Sequence, residues 1–479
     1  MKKRNVWIVP LAISAAVCLC AGITACNEGE PPAHEHNFGT DNLCAGCGDA
    51  WNYTEGLEYT LNSDGTYSVS APETASGGVV IPYGYEGIAV TSVGEYAFSH
   101  CPEVTSVTLP NSITAIDGKA FFGCIGLTGI VIPDSVTYLG ERAFEQCTNL
   151  TDAVIGDGVR RIDYYAFGNC TALTSVTLGG GVAAIGSYAF FGCGGLAEIT
   201  VASVNPTYRS EGNCIIERAA NKLVLGCKTS VIPSGVTAIG YQAFYGCPGL
   251  TDVVIPNGVT LIDDWAFSGC SGLASVVIPN SVTSIGSSAF SGCTALTGIA
   301  IPSGVTSIGS WAFQGCSELT GIDVASGNAV YRSEGDCLIE RATNTLILGC
   351  KTSVIPSSVT SVGDDAFYGC TELTTIVIPN GVTSIGAHAF NGCSALTSIV
   401  VDGSVTAISE EAFRGCSGLE TVYYKGTAQD WGRIAIGEYE NTCFIGAARY
   451  YYSETPDYDG RHWHYGADGA SPVVWREGE

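Results

Sequence analysis

The sequence predicts a β-rich solenoid, in which short coils of chain stack on one another and bury their apolar side chains against their neighbours. Three observations predict it. An Ala-Phe-x-x-Cys motif occurs twelve times, and successive motif cysteines are 23 residues apart, except at two places where they are 54 apart. An alternating apolar run precedes each motif, and a proline usually ends that run. The chain also holds 62 glycines and one methionine, which suits many tight turns rather than many helices.

One coil can be followed along the segment LTDVVIPNGVTLIDDWAFSGC, residues 250–270. Its alternating apolar residues predict a first strand, which Pro256 ends because proline cannot donate a ladder hydrogen bond. An Asn-Gly turn follows, and two further apolar residues predict a second, shorter strand. The Ala-Phe pair and Cys270 then return to the core on a short helical or irregular turn. Each coil has apolar residues on every inward side and therefore needs neighbours to bury them.

This repeat, L-x-x-V/I-x-I-P-x-x-V-x-x-I-G-x-x-A-F-x-x-C, resembles the BspA-like class of leucine-rich repeats of bacterial surface proteins. The resemblance covers roughly residues 80–425. It implies a right-handed leucine-rich-repeat solenoid of parallel β-strands, joined by short turns or 3-10 segments. It also implies non-covalent recognition of a macromolecule, as in an adhesin. The departures are local: Gly156, Gly179 and Asp402 replace the strand-ending proline, and Val104 replaces the leading leucine.

Two long units interrupt the 23-residue spacing. They span residues 194–247 and 317–370, and the segment Tyr208–Pro233 recurs almost unchanged 123 residues later, as Tyr331–Pro356. Each holds apolar runs on either side of a short polar loop, which predicts a hairpin. The array therefore grew by duplication of a block with one long and three short units.

The cysteines of the motif are predicted to pack rather than to react. A metal site needs ligands that converge on one point, whereas one cysteine per coil forms a line. Buried free cysteine behaves as a small apolar group. The long units differ, because counting back from the hairpin loop places Cys214 opposite Cys227 and Cys337 opposite Cys350. Each hairpin is thus a candidate for a cross-strand disulfide, with two buried thiols as the alternative.

Caps are expected at both ends, since a bare solenoid end exposes core and strand edges. Residues 55–90 are predicted to form an N-terminal β cap, because Asp64-Gly65 between alternating runs is a hairpin signal. The solenoid is expected over residues 91–425. Residues 426–479, rich in tyrosine and tryptophan, are predicted to form a C-terminal cap.

Residues 1–25 are typical of an export signal. Lys2-Lys3-Arg4 precedes an apolar run, and the segment ends in ITAC, which resembles the lipobox of bacterial lipoproteins. That resemblance implies cleavage before Cys26 and a diacylglycerol on its thiol. It places the protein outside the cytoplasm at the bacterial cell surface, with the lipid as its only membrane contact. An uncleaved membrane anchor is the alternative, because the run is just long enough to span.

Residues 26–54 are expected to form a polar tether that carries a candidate zinc knuckle. His34, His36, Cys44 and Cys47 form an H-x-H…C-x-x-C arrangement within fourteen residues. Two imidazoles and two thiolates suit tetrahedral Zn²⁺, and four protein ligands would make the site structural rather than catalytic. A tether with incidental histidines and cysteines is the alternative.

Charge and motif content exclude several function classes. The formal net charge of −26 repels phosphate backbones, which argues against nucleic-acid binding. None of the six histidines stands in a local motif with a nucleophile, and neither a phosphate-binding loop nor a nucleophile elbow is present in the sequence. The sequence therefore offers no candidate catalytic site, and a binding protein rather than an enzyme is what the family resemblance implies, with zinc as its one candidate cofactor.

The residues beside each Ala-Phe pair vary most between coils, and they predict the binding surface. In a stack they would line up along one edge, where exposed aromatic rings favour recognition of proteins and sugars. The expected partner is a protein or glycan of a host or neighbouring cell. The alternatives are rings that merely shield the turn, and a structural spacer or envelope component without a ligand. The predicted ligand-binding stripe comprises Tyr96, Tyr165, Tyr188, Tyr245, Trp265, Trp311 and Tyr368.

Overall fold

The computed structural model describes residues 53–437 and 439–476, and these form a β-solenoid of coils about 23 residues long. The predicted fold class is confirmed. Most coils contribute two strands, one to each of two series of parallel sheets. The Ala-Phe-x-x-Cys segment closes each coil as a series of turns rather than as a helix.

The first strand of each coil comes from the alternating apolar run. Ala153, for example, pairs with Ile130 of the coil before it and with Val176 of the coil after it, so the register is kept from coil to coil. Buried and exposed residues alternate because one face of the strand lies on the core. These strands are Gly77–Val80, Val104–Thr108, Gly129–Ile132, Asp152–Ile155, Ser175–Leu178, Glu198–Val201, Asp252–Val254, Ser275–Val277, Gly298–Ile301, Gly321–Val324, Thr375–Ile378, Ser398–Val401 and Thr421–Tyr424.

The second strand of most coils is only two residues long and ends just before the Ala-Phe corner. Arg161 and Ile162 show the pattern: the first side chain is exposed and the second is buried. These strands are Ile88–Val93, Ala115–Ile116, Tyr138–Leu139, Arg161–Ile162, Ala184–Ile185, Ala238–Ile239, Leu261–Ile262, Ser284–Ile285, Ser307–Ile308, Ser361–Val362, Ser384–Ile385, Ala407–Ile408 and Ala435–Ile436.

The phenylalanines of the corner form stacks along the core. The ring centroids of Phe121 and Phe144 are 5.0 Å apart, with the rings 6° from parallel, and both side chains are fully buried. Stacking of this kind follows from the 23-residue register, which places identical side chains above one another. The core divides into three clusters, and the divisions fall at the two long units.

The motif cysteines pack as predicted, and they also donate hydrogen bonds between coils. Cys147 Sγ donates to the carbonyl of Phe121 at 3.1 Å, and Cys293 Sγ donates to that of Phe267 at 3.3 Å. Burial raises the pKa of the Cys124 thiol from 9.0 to about 12. The thiol therefore keeps its proton at neutral pH, which the hydrogen bond requires.

Each corner contains two residues in the left-handed backbone region. The first stands directly before the alanine, with φ of 58° at Tyr96, 60° at Trp265 and 53° at Ser288. The second stands directly before the cysteine and is often glycine, as at Gly292. Because serine and aromatic residues share the first position, the turn itself imposes this conformation, and it is not specific to the aromatic coils.

Each long unit contains a three-stranded antiparallel sheet, where the sequence predicted a two-stranded hairpin. The third strand of the first sheet pairs in parallel with Ala238–Ile239. It therefore occupies the place of a second strand in the stack of coils. Gly226 follows that strand, and a Cβ there would overlap the ring of Phe244, which packs against the glycine backbone. The strands are Tyr208–Glu211, Cys214–Glu217 and Lys222–Leu225 in the first unit, and Tyr331–Glu334, Cys337–Glu340 and Thr345–Leu348 in the second.

The register counted from the sequence for the hairpin cysteines was wrong by one position. Ile215 pairs with Leu225, and a bulge follows, so continuing the ladder would set Cys214 opposite Gly226 rather than Cys227. The loop lies one residue earlier than the sequence count placed it, since Glu217 pairs with Lys222. The bulge offsets only part of that shift, because it places one extra residue on the strand Lys222–Leu225.

All four hairpin cysteines are thiols in this structure. Cys214 Sγ donates to the carbonyl of Gly212 at 3.5 Å, and Cys337 Sγ donates to that of Gly335 at 3.4 Å. The partners Cys227 and Cys350 are likewise free. The two disulfides stay predictions.

At the N-terminal end, Glu58–Leu61 and Tyr67–Ser70 form the hairpin expected around Asp64-Gly65. Tyr67–Ser70 also pairs in parallel with Ile88–Val93, so the hairpin continues one of the sheets of the solenoid. The short strand Gly84–Tyr85 folds back on the same neighbour.

At the C-terminal end, the strands Ala448–Tyr452, His462–Tyr465 and Pro472–Val474 extend the first-strand sheet. The short helix Ala428–Trp431 lies between the two strands of the last coil, and a second short helix, Thr442–Gly446, takes the place of its corner turn. Phe444 of the second helix lies 4.3 Å from the ring of Phe413 and so continues the phenylalanine stack. The boundaries 55–90, 91–425 and 426–479 remain predictions.

Candidate ligand-binding surface

Several predicted sites lie outside the described residues. These are the export signal at residues 1–25, the lipidation site Cys26, and the zinc ligands His34, His36, Cys44 and Cys47. They stay predictions from the sequence.

The seven residues of the predicted stripe occupy two positions of the corner. Five stand directly before the alanine of the motif, whereas Tyr245 and Tyr368 directly follow its phenylalanine. Tyr96 and Trp311 are about half exposed, with 50% and 49% of their surface accessible. The other five are partly buried.

Four of the seven form one contiguous group at the first long unit. The ring centroids of Tyr165 and Tyr188 are 4.9 Å apart, those of Tyr188 and Tyr245 are 5.6 Å apart, and those of Tyr245 and Trp265 are 5.8 Å apart. Neighbouring aromatic rings join them. We refer to Tyr164, Tyr165, Tyr188, Phe191, Tyr245 and Trp265 as the aromatic cluster.

The remaining stripe residues lie apart from this cluster. The hydroxyl of Tyr96 accepts a hydrogen bond from Lys119 Nζ at 2.6 Å, and Trp311 Nε1 donates to Asp365 Oδ2 at 2.6 Å. Tyr368 makes no ring contact with another aromatic residue in the described part of the chain. The structure thus brings together four of the seven predicted residues and separates three.

A cleft opens beside the aromatic cluster, because the extra sheet of the long unit separates two coils that would otherwise stack. Its volume is about 280 Å³. Tyr188 lies on one side, the strand Lys222–Leu225 lies on another, and Tyr241, Gln242 and Tyr245 come from the next coil.

Gln242 is the unusual residue of this cleft. It is only 9% exposed, and within the part of the chain that the structure describes neither Nε2 nor Oε1 of its side chain has a hydrogen-bond partner. Buried amides are normally paired, since an unpaired one costs about 1–3 kcal/mol. Burial, reinforced by nearby Tyr188, raises the pKa of the Tyr241 phenol, so this hydroxyl stays protonated at neutral pH and can donate as well as accept.

The stripe predicted from the sequence omitted Tyr241 and Gln242. A signal for them exists in the sequence, namely the 123-residue offset between the long units. At that offset Tyr241 corresponds to Asp364 and Gln242 to Asp365, while most of the surrounding segment is unchanged. Differences within a duplicated segment indicate where two otherwise equal units have diverged.

A second surface was also missed, on the outward face of the first strands. The position between the two inward-facing residues of a strand holds an exposed valine in several coils, and the register aligns these valines between neighbouring coils. Exposed apolar rows of this kind are candidate contact surfaces. The row comprises Val131, Val154, Val254, Val277 and Val377, each at least 40% exposed.

One group among the described residues has donors close enough to share a cation. Asp457, Asp459 and His462 converge near the C-terminus, with His462 Nδ1 2.9 Å from Asp459 Oδ1 and 3.2 Å from Asp457 Oδ2. All three are exposed or partly exposed, and the imidazole already pairs with both carboxylates. The group is explained by these internal contacts.

The repeat matches a known family over most of the solenoid. The model of the BspA-type leucine-rich repeat region matches in six copies, over residues 91–211, 216–334 and 348–442. The chain belongs to the BspA-type leucine-rich repeat family. This family of bacterial surface proteins is the one whose repeat the sequence resembles, and its solenoid is the observed fold. Among curated proteins no relative of the chain is found at a significant level.

Solved structures of bacterial leucine-rich repeat proteins are similar to this BspA-type chain. A leucine-rich cell surface protein of Faecalibacterium prausnitzii shares 25% identity over 81% of this chain and 98% of its own, with a TM-score of 0.39. A leucine-rich repeat protein of Bacteroides ovatus shares 25% over 81% and 97%, with a TM-score of 0.46. The pneumococcal vaccine antigen PcpA shares 16% over 81% and 98%, with a TM-score of 0.48.

The BspA-type array leaves little chain for helices. Within residues 53–437 and 439–476, neither helix has the length or apolar character needed to cross a membrane.

Proposed function

We propose that this BspA-type leucine-rich repeat protein binds a protein or glycan of a host or neighbouring cell through the aromatic cluster. The carrying observation is the contiguous run of partly exposed rings from Tyr165 to Trp265. Aromatic side chains supply large contact areas at little entropic cost, and they dominate the energetics of recognition surfaces. The other residues of the cluster widen this surface across the first long unit.

The proposal includes attachment to the membrane by a lipid on Cys26. A lipid-anchored array would hold the aromatic cluster well outside the cell, where it can meet large partners. Cells that grow with a labelled fatty acid should label the parent protein and not Cys26→Ala, because the thiol of Cys26 would carry the lipid. Equal labelling of the two would contradict the lipid anchor, and a parent that stays in the membrane fraction without the label would favour the uncleaved apolar anchor instead.

Binding of the mature chain to cells and matrix proteins tests the main proposal. Trp265→Ala is expected to weaken binding at least tenfold, since it removes the ring at one end of the aromatic cluster. Tyr96→Ala is the matched control, because Tyr96 occupies the same corner position outside the cluster and has the same left-handed backbone. Equal binding of both variants and the parent would refute a role for the cluster.

The valine row offers an alternative contact surface on the same molecule. Val254→Thr with Val277→Thr tests it without loss of strand propensity, because threonine already occupies the equivalent positions Thr177 and Thr200. If binding follows the valine variants and not Trp265→Ala, the strand face and not the aromatic edge meets the partner.

A further inference from the structure

The cleft at the first long unit has the dimensions of a site for one small ring. A cavity of about 150 Å³ accommodates a benzene molecule. The cleft volume of about 280 Å³ therefore has room for one six-membered ring with polar substituents. This volume lies just below the usual range for small-molecule sites, so the cleft suits a single sugar or amino-acid unit rather than a long chain.

Two aromatic rings form the walls of this cleft. The rings of Tyr188 and Tyr245 meet at 80°, with centroids 5.6 Å apart, so they form a corner. Tyr241 also lines the cleft and is 45% exposed. Flat aromatic faces of this kind offer contact to the apolar C–H face of a ring, while the tyrosine hydroxyls can bond polar groups at its rim.

Gln242 supplies the polar group of the cleft, although Nε2 and Oε1 are themselves closed to solvent, so the side chain must rotate toward the cleft to meet a ligand. Its carboxamide offers two donors at Nε2 and an acceptor at Oε1, and none is paired with another of the described residues. A ligand hydroxyl is both donor and acceptor, so two adjacent hydroxyls match the amide. The unpaired amide is therefore a cost in the free protein that a hydroxylated ligand removes.

The second long unit shows the same location without an unpaired group. There the residue equivalent to Gln242 is Asp365, and the residue equivalent to Tyr188 is Trp311. The indole of Trp311 donates to Asp365 across the corner at 2.6 Å. The carboxylate of Asp365 thus has a hydrogen-bond partner within the protein, whereas the amide of Gln242 is left for a ligand to bind.

Charge favours a neutral ligand. Glu217 and Lys222, one of each sign, face each other in the strand register and both line the cleft. The chain as a whole carries a formal charge of −26, which disfavours sialylated or sulfated partners.

We propose that the cleft binds one neutral pyranose residue of a glycan, with its C–H face against Tyr188 or Tyr245 and its hydroxyls on Gln242. This inference rests on the proposed function, since it names the ligand class for the same surface. A hydroxylated ring meets all three features of the cleft: ring-sized volume, aromatic walls and an unpaired amide. An apolar peptide side chain such as phenylalanine or leucine would pack against the walls but leave the amide unpaired.

A printed array of neutral, sialylated and sulfated glycans tests the inference, followed by calorimetric titration with the free form of a neutral glycan that binds. Gln242→Ala is expected to weaken that binding at least tenfold. The double variant Tyr188→Trp with Gln242→Asp copies the second long unit, so it should fold, pair its own indole and carboxylate, and lose sugar binding. Tyr96→Ala should bind as the parent does, and thermal melts check the fold of every variant.

The outcomes separate this inference from the proposed function. If the parent binds cells and loses that binding on Trp265→Ala, yet binds no neutral glycan, the sugar inference is overturned and the proposed function stands. Binding restricted to anionic glycans, or unchanged in the double variant, also overturns it. Neutral-glycan binding that depends on Gln242, without binding to cells, supports the sugar site and contradicts cell adhesion.

Discussion

Trp311 donates its indole Nε1–H to Asp365 Oδ2 at 2.6 Å, across 54 residues of sequence and at the level where the second long unit joins the next coil. This bond joins the two coils on either side of the second long unit, whereas the equivalent residues at the first long unit, Tyr188 and Gln242, are not bonded to each other. The two copies of the duplicated unit therefore differ at one position. In the second copy the polar side chain, Asp365, has a hydrogen-bond partner, whereas in the first copy the buried amide of Gln242 has none among the described residues.

The Trp311–Asp365 bond is expected to stabilise the fold by about 1 kcal/mol, because a charged acceptor strengthens it while partial exposure weakens it. A double-mutant cycle with Trp311→Phe and Asp365→Asn measures the coupling by chemical denaturation. Burial raises the pKa of Asp365, and the indole acts against that rise. The bond stabilises the carboxylate, so the coupling should be full at pH 7 and vanish as the pH falls below the Asp365 pKa. A coupling that is independent of pH would contradict this.

The motif cysteines should resist thiol reagents in the folded protein. Burial raises the pKa of Cys124 and of Cys316 to about 12, so the reactive thiolate is rare at pH 8. Among the cysteines of residues 53–437 and 439–476, peptide mapping after mild alkylation should find the partly exposed Cys443 modified first. Full modification is expected only in denaturant, and rapid labelling of Cys124 in the native state would contradict the prediction.

The same pKa shifts predict loss of stability in alkali. A thiol titrates near 9.0 in its ordinary state, whereas the folded protein holds the Cys124 proton up to about pH 12. The contribution of the protonated Cys124 thiol to the free energy of unfolding is therefore full below about pH 9 and is lost as the pH rises toward about 12. The melting temperature should fall steadily across this window. Cys124→Ala, less stable at neutral pH, should show a shallower decline.

Gly226 should be among the least replaceable residues of the first long unit. A Cβ there overlaps the Phe244 ring, so Gly226→Ala is expected to cost about 3 kcal/mol or more of unfolding free energy. Gly235→Ala is the matched control, because nothing lies within 4 Å of a Cβ at that position. Similar melting temperatures for the two variants would show that Phe244 moves aside without cost.

Zinc content tests the predicted knuckle at His34, His36, Cys44 and Cys47. The full mature chain should bind one equivalent of Zn²⁺ by elemental analysis after dialysis. Cys44→Ser with Cys47→Ser should lose it, because the two thiolates are the strongest ligands of the set. Unchanged zinc in the double variant would place the metal elsewhere, and none in the parent would favour a plain tether.

The repeat alone was enough to predict the coil. Leu250, Val253 and Pro256 encode a strand and its end through local rules of alternation and backbone bonding, and the 23-residue spacing implies stacking. The hydrogen bond from Cys293 Sγ to the Phe267 carbonyl was not predicted, because its direction depends on how far one corner is offset from the next.

The candidate site was predicted only in part. Tyr165, Tyr188, Tyr245 and Trp265 were named from their positions in the corner. The cleft that Tyr188 and Tyr245 line, and the unpaired Gln242 beside it, depend on a third hairpin strand and its bulge, which no periodicity reveals.

The sequence by itself therefore determined the solenoid, the inward faces of its strands and the burial of its phenylalanines and cysteines, because these follow from patterns within one coil and from their repetition. The tertiary structure decided which edge residues meet. Contacts such as Tyr188 with Tyr245, or Trp311 with Asp365, join coils on either side of an insertion. Their geometry is fixed by the register of the inserted sheet and by the side-chain volumes packed against it.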